Sequence, residues 1–217
     1  MKPETVGNRR RVLVSDQAGK SNLVSELERF GLVFDRADPR LDGLLAEIKE
    51  RESQGYAYEG ADASLELLAR RRLDKLQSFF KVEGFRVNVE RRFDANGKPK
   101  TVAEAVVRVD VNGDQRMSVA EGNGPVNALD KALRKDLGEL SGLIADLELV
   151  DYKVRILNGG TEAVTRVLIE SRDGEGNRWL TVGVSSNIID ASFEALLDAV
   201  TYKLVKASDG PMRSAAE

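Results

Sequence analysis

Two stretches of the chain run through the same order of elements, and this internal repeat restricts the fold more than any other feature of the sequence. At an offset of 63 residues, Asn127-Ala128 falls on Asp190-Ala191 and Ala132-Leu133 on Ala195-Leu196. The small alanines let both helices lie close to a sheet. Upstream of the first helix the apolar period is two. Phe85, Val87 and Val89 alternate with Arg86, Asn88 and Glu90, a turn with Asn96-Gly97 follows, and Ala103 to Val111 reads as a second strand. Asn112-Gly113 then predicts a tight hairpin into a third strand through Val119. A helix from Val126 to about Leu140 closes the unit.

The second copy has a strand from Leu149 to Ile156, with Val150, Tyr152, Val154 and Ile156 on one face, and a turn at Asn158-Gly159-Gly160. A hairpin of Ala163 to Ser171 and Arg178 to Val184 follows, then a helix from Asn187 to about Val205. One βββα unit leaves a sheet face to cover, and pairing two units buries it. The fold class is therefore α+β: an N-terminal helical subdomain (1–84), then two tandem βββα units with pseudo-twofold symmetry (85–140 and 147–206), then a frayed tail (207–217).

The helical subdomain reads from periodicity. Leu23, Val24, Leu27 and Phe30 keep helical spacing up to Gly31. Asp38-Pro39 opens a second helix with Leu41, Leu44, Leu45 and Ile48 inside and Gly55 at its end. A third runs from about Ala61 to Leu76, with Arg70-Arg71-Arg72 expected on a solvated face.

Composition closes several functional classes. The chain has no cysteine and no histidine, which removes disulfides, zinc ribbons, thiol catalysis, Ser-His-Asp triads and imidazole metal sites. Its 33 basic and 36 acidic residues balance to -3, which argues against a surface built to coat nucleic acid or an anionic membrane. The longest apolar run near the start, Val12-Leu13-Val14, is too short for a signal peptide or a span, so the expectation is a cytoplasmic chain.

The most distinctive segment, EGNGPVNALDKAL (121–133), suits either a structural turn or a helix start that holds a carboxylate or phosphate on free N–H groups. It lacks the Gly-Lys-Ser/Thr of a P-loop. Asp110, Asp114, Asp173 and Glu175 sit at hairpin tips, where turn geometry favours them over a metal role. Tyr152 fits ordinary core as well as a pocket wall, and Trp179 fits sheet packing. Double-stranded RNA binding needs a basic start to the last helix. Pro125-Val126-Asn127-Ala128 and Asn187-Ile188-Ile189-Asp190 supply none, so a stand-alone RNA-binding or protein-interaction module ranks behind the reading below.

Five stretches carry a family resemblance: VGNRRRVLVSDQAGKSNL (6–23), GYAYEGADASLELLARR (55–71), EGNGPVNALDKALRK (121–135), LVDYKVRILNGGTEAVTRVLIES (149–171) and WLTVGVSSNIIDASFEALLDAVTYKL (179–204). The chain resembles the C-terminal part of the isopropylmalate/homocitrate synthase family, on its citramalate synthase branch. The resemblance implies linker helices followed by a regulatory domain that dimerises and binds an end-product amino acid. That amino acid would be isoleucine for citramalate synthase, with leucine and isopropylmalate synthase as the alternative. It implies a parent Claisen-condensing transferase whose metal and acetyl-CoA belong to a catalytic barrel not represented here. The chain itself then has no catalytic residue, metal or cofactor. Family effector contacts carry over to Val126, Asn127, Leu149, Tyr152, Ile156, Thr161, Thr165, Ser186 and Ile188. The expected partners are a second copy and a branched-chain amino acid, with neither nucleic acid nor membrane.

Overall fold

The computed structural model describes residues 19–73, 75–157 and 163–208. Three helices lead: α1 (Lys20–Arg29), α2 (Arg40–Ser53) and α3 (Asp62–Arg72). Gly31 and Gly55 follow α1 and α2 with positive φ, which explains why these helices stop where the glycines stand. Leu23, Leu27, Leu41, Leu44, Ile48, Leu65, Leu68 and Leu73 fill one core among these helices, and Val182 from the last strand completes it. α3 ends at Arg72, short of the expected Leu76.

The first unit is β1 (Lys81–Phe93), β2 (Pro99–Val111), β3 (Asp114–Gly122) and α4 (Pro125–Lys135). The second is β4 (Glu148–Ile156), β5 (Thr165–Arg172), β6 (Arg178–Ser185) and α5 (Ile188–Ser208). Each sheet is antiparallel, in the orders β1-β2-β3 and β4-β5-β6. The strand alternation decides the faces. Ala103, Ala105, Val107 and Val109 of β2 and Val167 and Ile169 of β5 point at the helices and are fully buried. They share one continuous core with Leu129 and Leu133 of α4 and Leu196, Val200 and Leu204 of α5, so the two units fold around a common interior.

The repeat survives in detail. The row Val89–Ala103–Gly122 in the first sheet corresponds to Ile156–Thr165–Ser185 in the second. Both first strands carry a register irregularity at the same place, between Val82 and Gly84 and between Leu149 and Asp151. The irregularity corrects the sequence reading of β4. It puts Leu149 opposite Ser171 and Tyr152 opposite Ile169, so Leu149, not Val150, joins the helix-facing side with Tyr152, Val154 and Ile156.

Local signals account for most boundaries. Asn112 (φ 56) and Gly113 (φ 86) make the two-residue hairpin turn. α4 is shorter than expected. Asp136 leaves helical geometry, and a 3-10 segment, Gly138–Ile144, follows in place of the helix predicted to Leu140. α5 passes so close to β6 that a Cβ on Gly183 would lie 2.0 Å from the Ala191 carbonyl oxygen. The arginine triplet of α3 is solvated only in part, at the exposed Arg71 and Arg72. Arg70 is buried against Glu66, and Arg71 reaches Asp198 of α5 at 2.7 Å. Among the described residues, no helix is long and apolar enough to cross a membrane.

Candidate functional site

The site grows from the helix-facing side of β4. Tyr152 is half-buried there, and its hydroxyl lies 2.8 Å from the Ser192 Oγ of α5. Ser192 Oγ donates to the Ile188 carbonyl at 2.6 Å, so its oxygen is left to accept from the Tyr152 hydroxyl. A hydrogen-bonded chain from Tyr152 to Ile188 thus ties β4 to the first turn of α5. Around it lie apolar side chains that the helices do not cover: Leu149 and Val154, with Ile156 at 65% exposure and Ile188 at 42%. Thr165 is buried and pairs with Ile156 on one side and Ser185 on the other.

The two helix starts differ. α5 is capped by its own sequence, because Asn187 Oδ1 accepts from the Ile189 N–H at 2.9 Å. α4 follows Gly124, which offers no side-chain cap, and Pro125 occupies its first turn. Asn127 is exposed, and its Oδ1 accepts from the Asn123 N–H at 3.3 Å. Val126 packs against the same core as Tyr152 and Ile189.

Of the expected site residues, the structure therefore groups Tyr152, Ile156, Thr165 and Ile188 around the β4–α5 junction, with Leu149 on the same strand face. Val126 and Asn127 sit on the first unit at the start of α4, and Ser186 is exposed just before α5. Thr161 lies outside the described residues, as does the Asn158-Gly159-Gly160 turn.

Two other expectations resolve simply. Asp110 and Asp173 hold their own turns, accepting from Gly113 N–H at 2.7 Å and from Asn177 N–H at 2.9 Å. Among the described residues no cluster of carboxylates is arranged to hold a metal. Trp179 is buried and tilted against Tyr202, with ring centroids 5.5 Å apart.

Sequence reasoning missed Ser192, whose only signal is a hydroxyl one turn after Ile188. It also missed the polar residues on the opposite side of α5. Glu194 accepts from the Tyr56 hydroxyl at 2.6 Å and from the Val184 N–H at 3.0 Å. Burial raises its carboxyl above the ordinary glutamate range despite these bonds. Burial likewise raises the Tyr56 hydroxyl, aided by the bond to Glu194, so that it stays a donor.

Comparison with known proteins adds the family. Residues 59–204 match the family described as the LeuA allosteric (dimerisation) domain. An (R)-citramalate synthase from Synechocystis is 50% identical over 204 residues, covering 93% of this chain and 37% of that protein. An (R)-citramalate synthase from Geobacter sulfurreducens is 50% identical over 211 residues, covering 96% of this chain and 39% of that protein. A probable 2-isopropylmalate synthase from Archaeoglobus fulgidus is 28% identical over 202 residues, or 93% of this chain and 37% of that protein. The chain thus spans well under half the length of these relatives.

Proposed function

This chain belongs to the LeuA allosteric (dimerisation) domain family of the citramalate and isopropylmalate synthases, and from that premise we propose that it senses isoleucine for a citramalate synthase. Its regulatory domain (85–206) binds the amino acid, and its helical subdomain (1–84) links that domain to the catalytic part. The parent activity is the condensation of acetyl-CoA with pyruvate. The observation that carries the reading is the Tyr152–Ser192–Ile188 chain, edged by apolar side chains that the protein itself leaves uncovered. A branched side chain finds burial against Leu149, Val154 and Ile156, worth roughly 1.5–3 kcal/mol. The ammonium and carboxylate need polar partners to offset desolvation. The uncapped N–H groups at the start of α4 suit the carboxylate, and the Tyr152 and Ser192 oxygens suit the ammonium.

A second copy completes the site in this reading. β1 and β4 extend beyond the helices and expose Val89, Phe93, Val154 and Ile156 on the helix-facing side, an apolar surface at the free edges of both sheets. A homodimer covers these strands. Isoleucine is favoured over leucine because five (R)-citramalate synthases are 43–50% identical to this chain, where two probable 2-isopropylmalate synthases, like one putative citramalate synthase, are 28–29% identical.

Calorimetric titration with isoleucine, leucine, valine and glutamate tests the reading. Isoleucine binds with the highest affinity, glutamate does not bind, and Tyr152→Ala abolishes the heat while the chain still melts cooperatively. A leucine preference moves the assignment to an isopropylmalate synthase, and the absence of heat with all four refutes effector binding.

A further inference from the structure

The free edge of β6 is closed in an unusual way. Val182 and Val184 point their N–H groups away from β5, and neither is left to water. The Val182 N–H donates to Ser64 Oγ of α3 at 3.0 Å, and the Val184 N–H donates to Glu194 of α5. The acceptors are themselves held from the helical subdomain. Ser64 donates to Asp198 at 2.8 Å, Arg71 donates to the other Asp198 oxygen at 2.7 Å, and the Tyr56 hydroxyl donates to Glu194. Ser64 and Asp198 are buried. β6, α3 and α5 are thus sewn together by one polar seam.

The fold does not require these carboxylates. At the offset of 63 residues, Glu194 corresponds to Lys131 and Asp198 to Lys135. In the first unit those lysines close the matching edge of β3 by donating to the Glu121 and Val119 carbonyls at 3.3 and 2.8 Å. Both lysines are exposed. The second unit has the opposite charge at the same helix positions, and there the carboxylates grip Tyr56, Ser64 and Arg71.

One helix therefore carries both ends of a connection. Ser192, bonded to Tyr152, is two residues from Glu194 and six from Asp198, on a continuous helix about 30 Å long. We propose that α5 is the coupling element of this domain: occupancy of the Tyr152–Ser192 site shifts α5, and the Glu194 and Asp198 seam passes that shift to α3 and the Tyr56 turn. The proposal rests on the effector reading above. Packed helices respond to a ligand by small rigid displacements, and a buried carboxylate cannot give up its donors by degrees, because each unpaired group is costly. The seam therefore moves with α5 or breaks.

Hydrogen exchange on the full chain, with and without saturating isoleucine, tests it alongside calorimetry on the same samples. Isoleucine changes exchange of the α3 amides (62–72) by about fivefold or more, the lower range of measured couplings. Tyr56→Phe and Ser64→Ala still bind isoleucine but lose that response, and by reciprocity their affinity shifts by the factor the response loses, down where isoleucine slows α3 exchange and up where it speeds it. Lys131→Ala, at the matching position of the first unit, changes neither. Heat of binding with α3 exchange unaltered in the wild-type chain overturns the coupling and leaves the effector reading intact. No heat at all overturns both.

Discussion

Where the second unit sets Tyr152 against Ser192, the first sets Phe85 at the equivalent place on β1 and Leu129 at the equivalent turn of α4. The equivalence follows from register: Phe85 opposes Val107 as Tyr152 opposes Ile169, and Leu129 precedes Ser192 by the repeat length of 63. Phe85 packs tilted against Phe193 of α5, ring centroids 4.3 Å apart, and Leu129 is fully buried. The same backbone thus carries an apolar joint in one copy and a hydrogen-bonded one in the other. The outer sheet faces differ in the same spirit. Val182 on the second is buried under the helical subdomain, with Leu168 and Val184 packed against it. On the first, Arg86, Arg108, Met117 and Val119 line an open depression. Duplication supplied two scaffolds, and side-chain choice at matched positions decided which one binds the helices.

The largest expected break in this comparison is at the helix–sheet contact. Gly183→Ala drives a Cβ into the backbone of α5 and costs about 3 kcal/mol, read as a shift in urea midpoint. Its counterpart Ala120 already has a Cβ, and Ala120→Gly costs about 1 kcal/mol or less. Equal effects at the two positions would mean that the helices sit at the same height over both sheets.

A smaller contrast separates the two edges. Asp198→Ala strands the buried Ser64 hydroxyl and one bond of Arg71, and loses about 1.5–3 kcal/mol. Lys135→Ala removes an exposed donor from the Val119 carbonyl and stays within about 0.5 kcal/mol. Thermal melts of the pair decide whether the seam is a structural bond or a surface decoration.

The smallest effect is a matter of sign with pH. Burial pushes Asp146 and Asp173 up, but it is outweighed by the Lys203 and Gly174 N–H bonds at Asp146 and by the Asn177 side-chain and N–H bonds at Asp173, with the Lys203 charge nearby, so both carboxyls lie below the ordinary value of 3.8. Depressed acids stabilise above their unfolded value, and that contribution is lost as pH falls through the folded one. Glu194 behaves in reverse. Its raised carboxyl binds a proton more readily in the folded chain, so its contribution grows as pH drops from neutral toward 4.5. The stability of the wild type relative to Glu194→Gln therefore rises over that interval. A flat difference would mean that Glu194 titrates as it does in the unfolded chain.

Much of this was legible in the sequence, because local signals carried it. The Asn112-Gly113 turn, the period-two runs and the alanines at matched helix positions predict the βββα order and its repetition. What was not legible depends on contacts between distant residues. Arg70 looks like part of a charged face until α5 is packed on α3, where Arg70 and the distant Lys206 share the buried Glu66. The end of α4 at Lys135 follows from the 3-10 segment packing Ile144 into the core, which no local propensity encodes. Alternation alone puts Val150 on the Tyr152 face, because it cannot reveal the register irregularity between Leu149 and Asp151. The exchange of Lys131 and Lys135 for Glu194 and Asp198 stands in plain view in the sequence. Its meaning lies in partners more than 110 residues away, Ser64, Arg71 and Tyr56.

The central claim is that the hydrogen-bonded joint of the second unit, and not the apolar joint of the first, makes the amino-acid site. Its most direct test is the isoleucine dissociation constant of Tyr152→Phe beside that of Phe85→Tyr, measured by calorimetry. Tyr152→Phe removes one hydroxyl and gives the second unit the ring that the first unit carries. The account predicts that this variant stays folded and binds isoleucine about tenfold more weakly, the value of one buried hydrogen bond, while Phe85→Tyr binds as the wild type does. Unchanged affinity in Tyr152→Phe, or an equal loss in Phe85→Tyr, would contradict it.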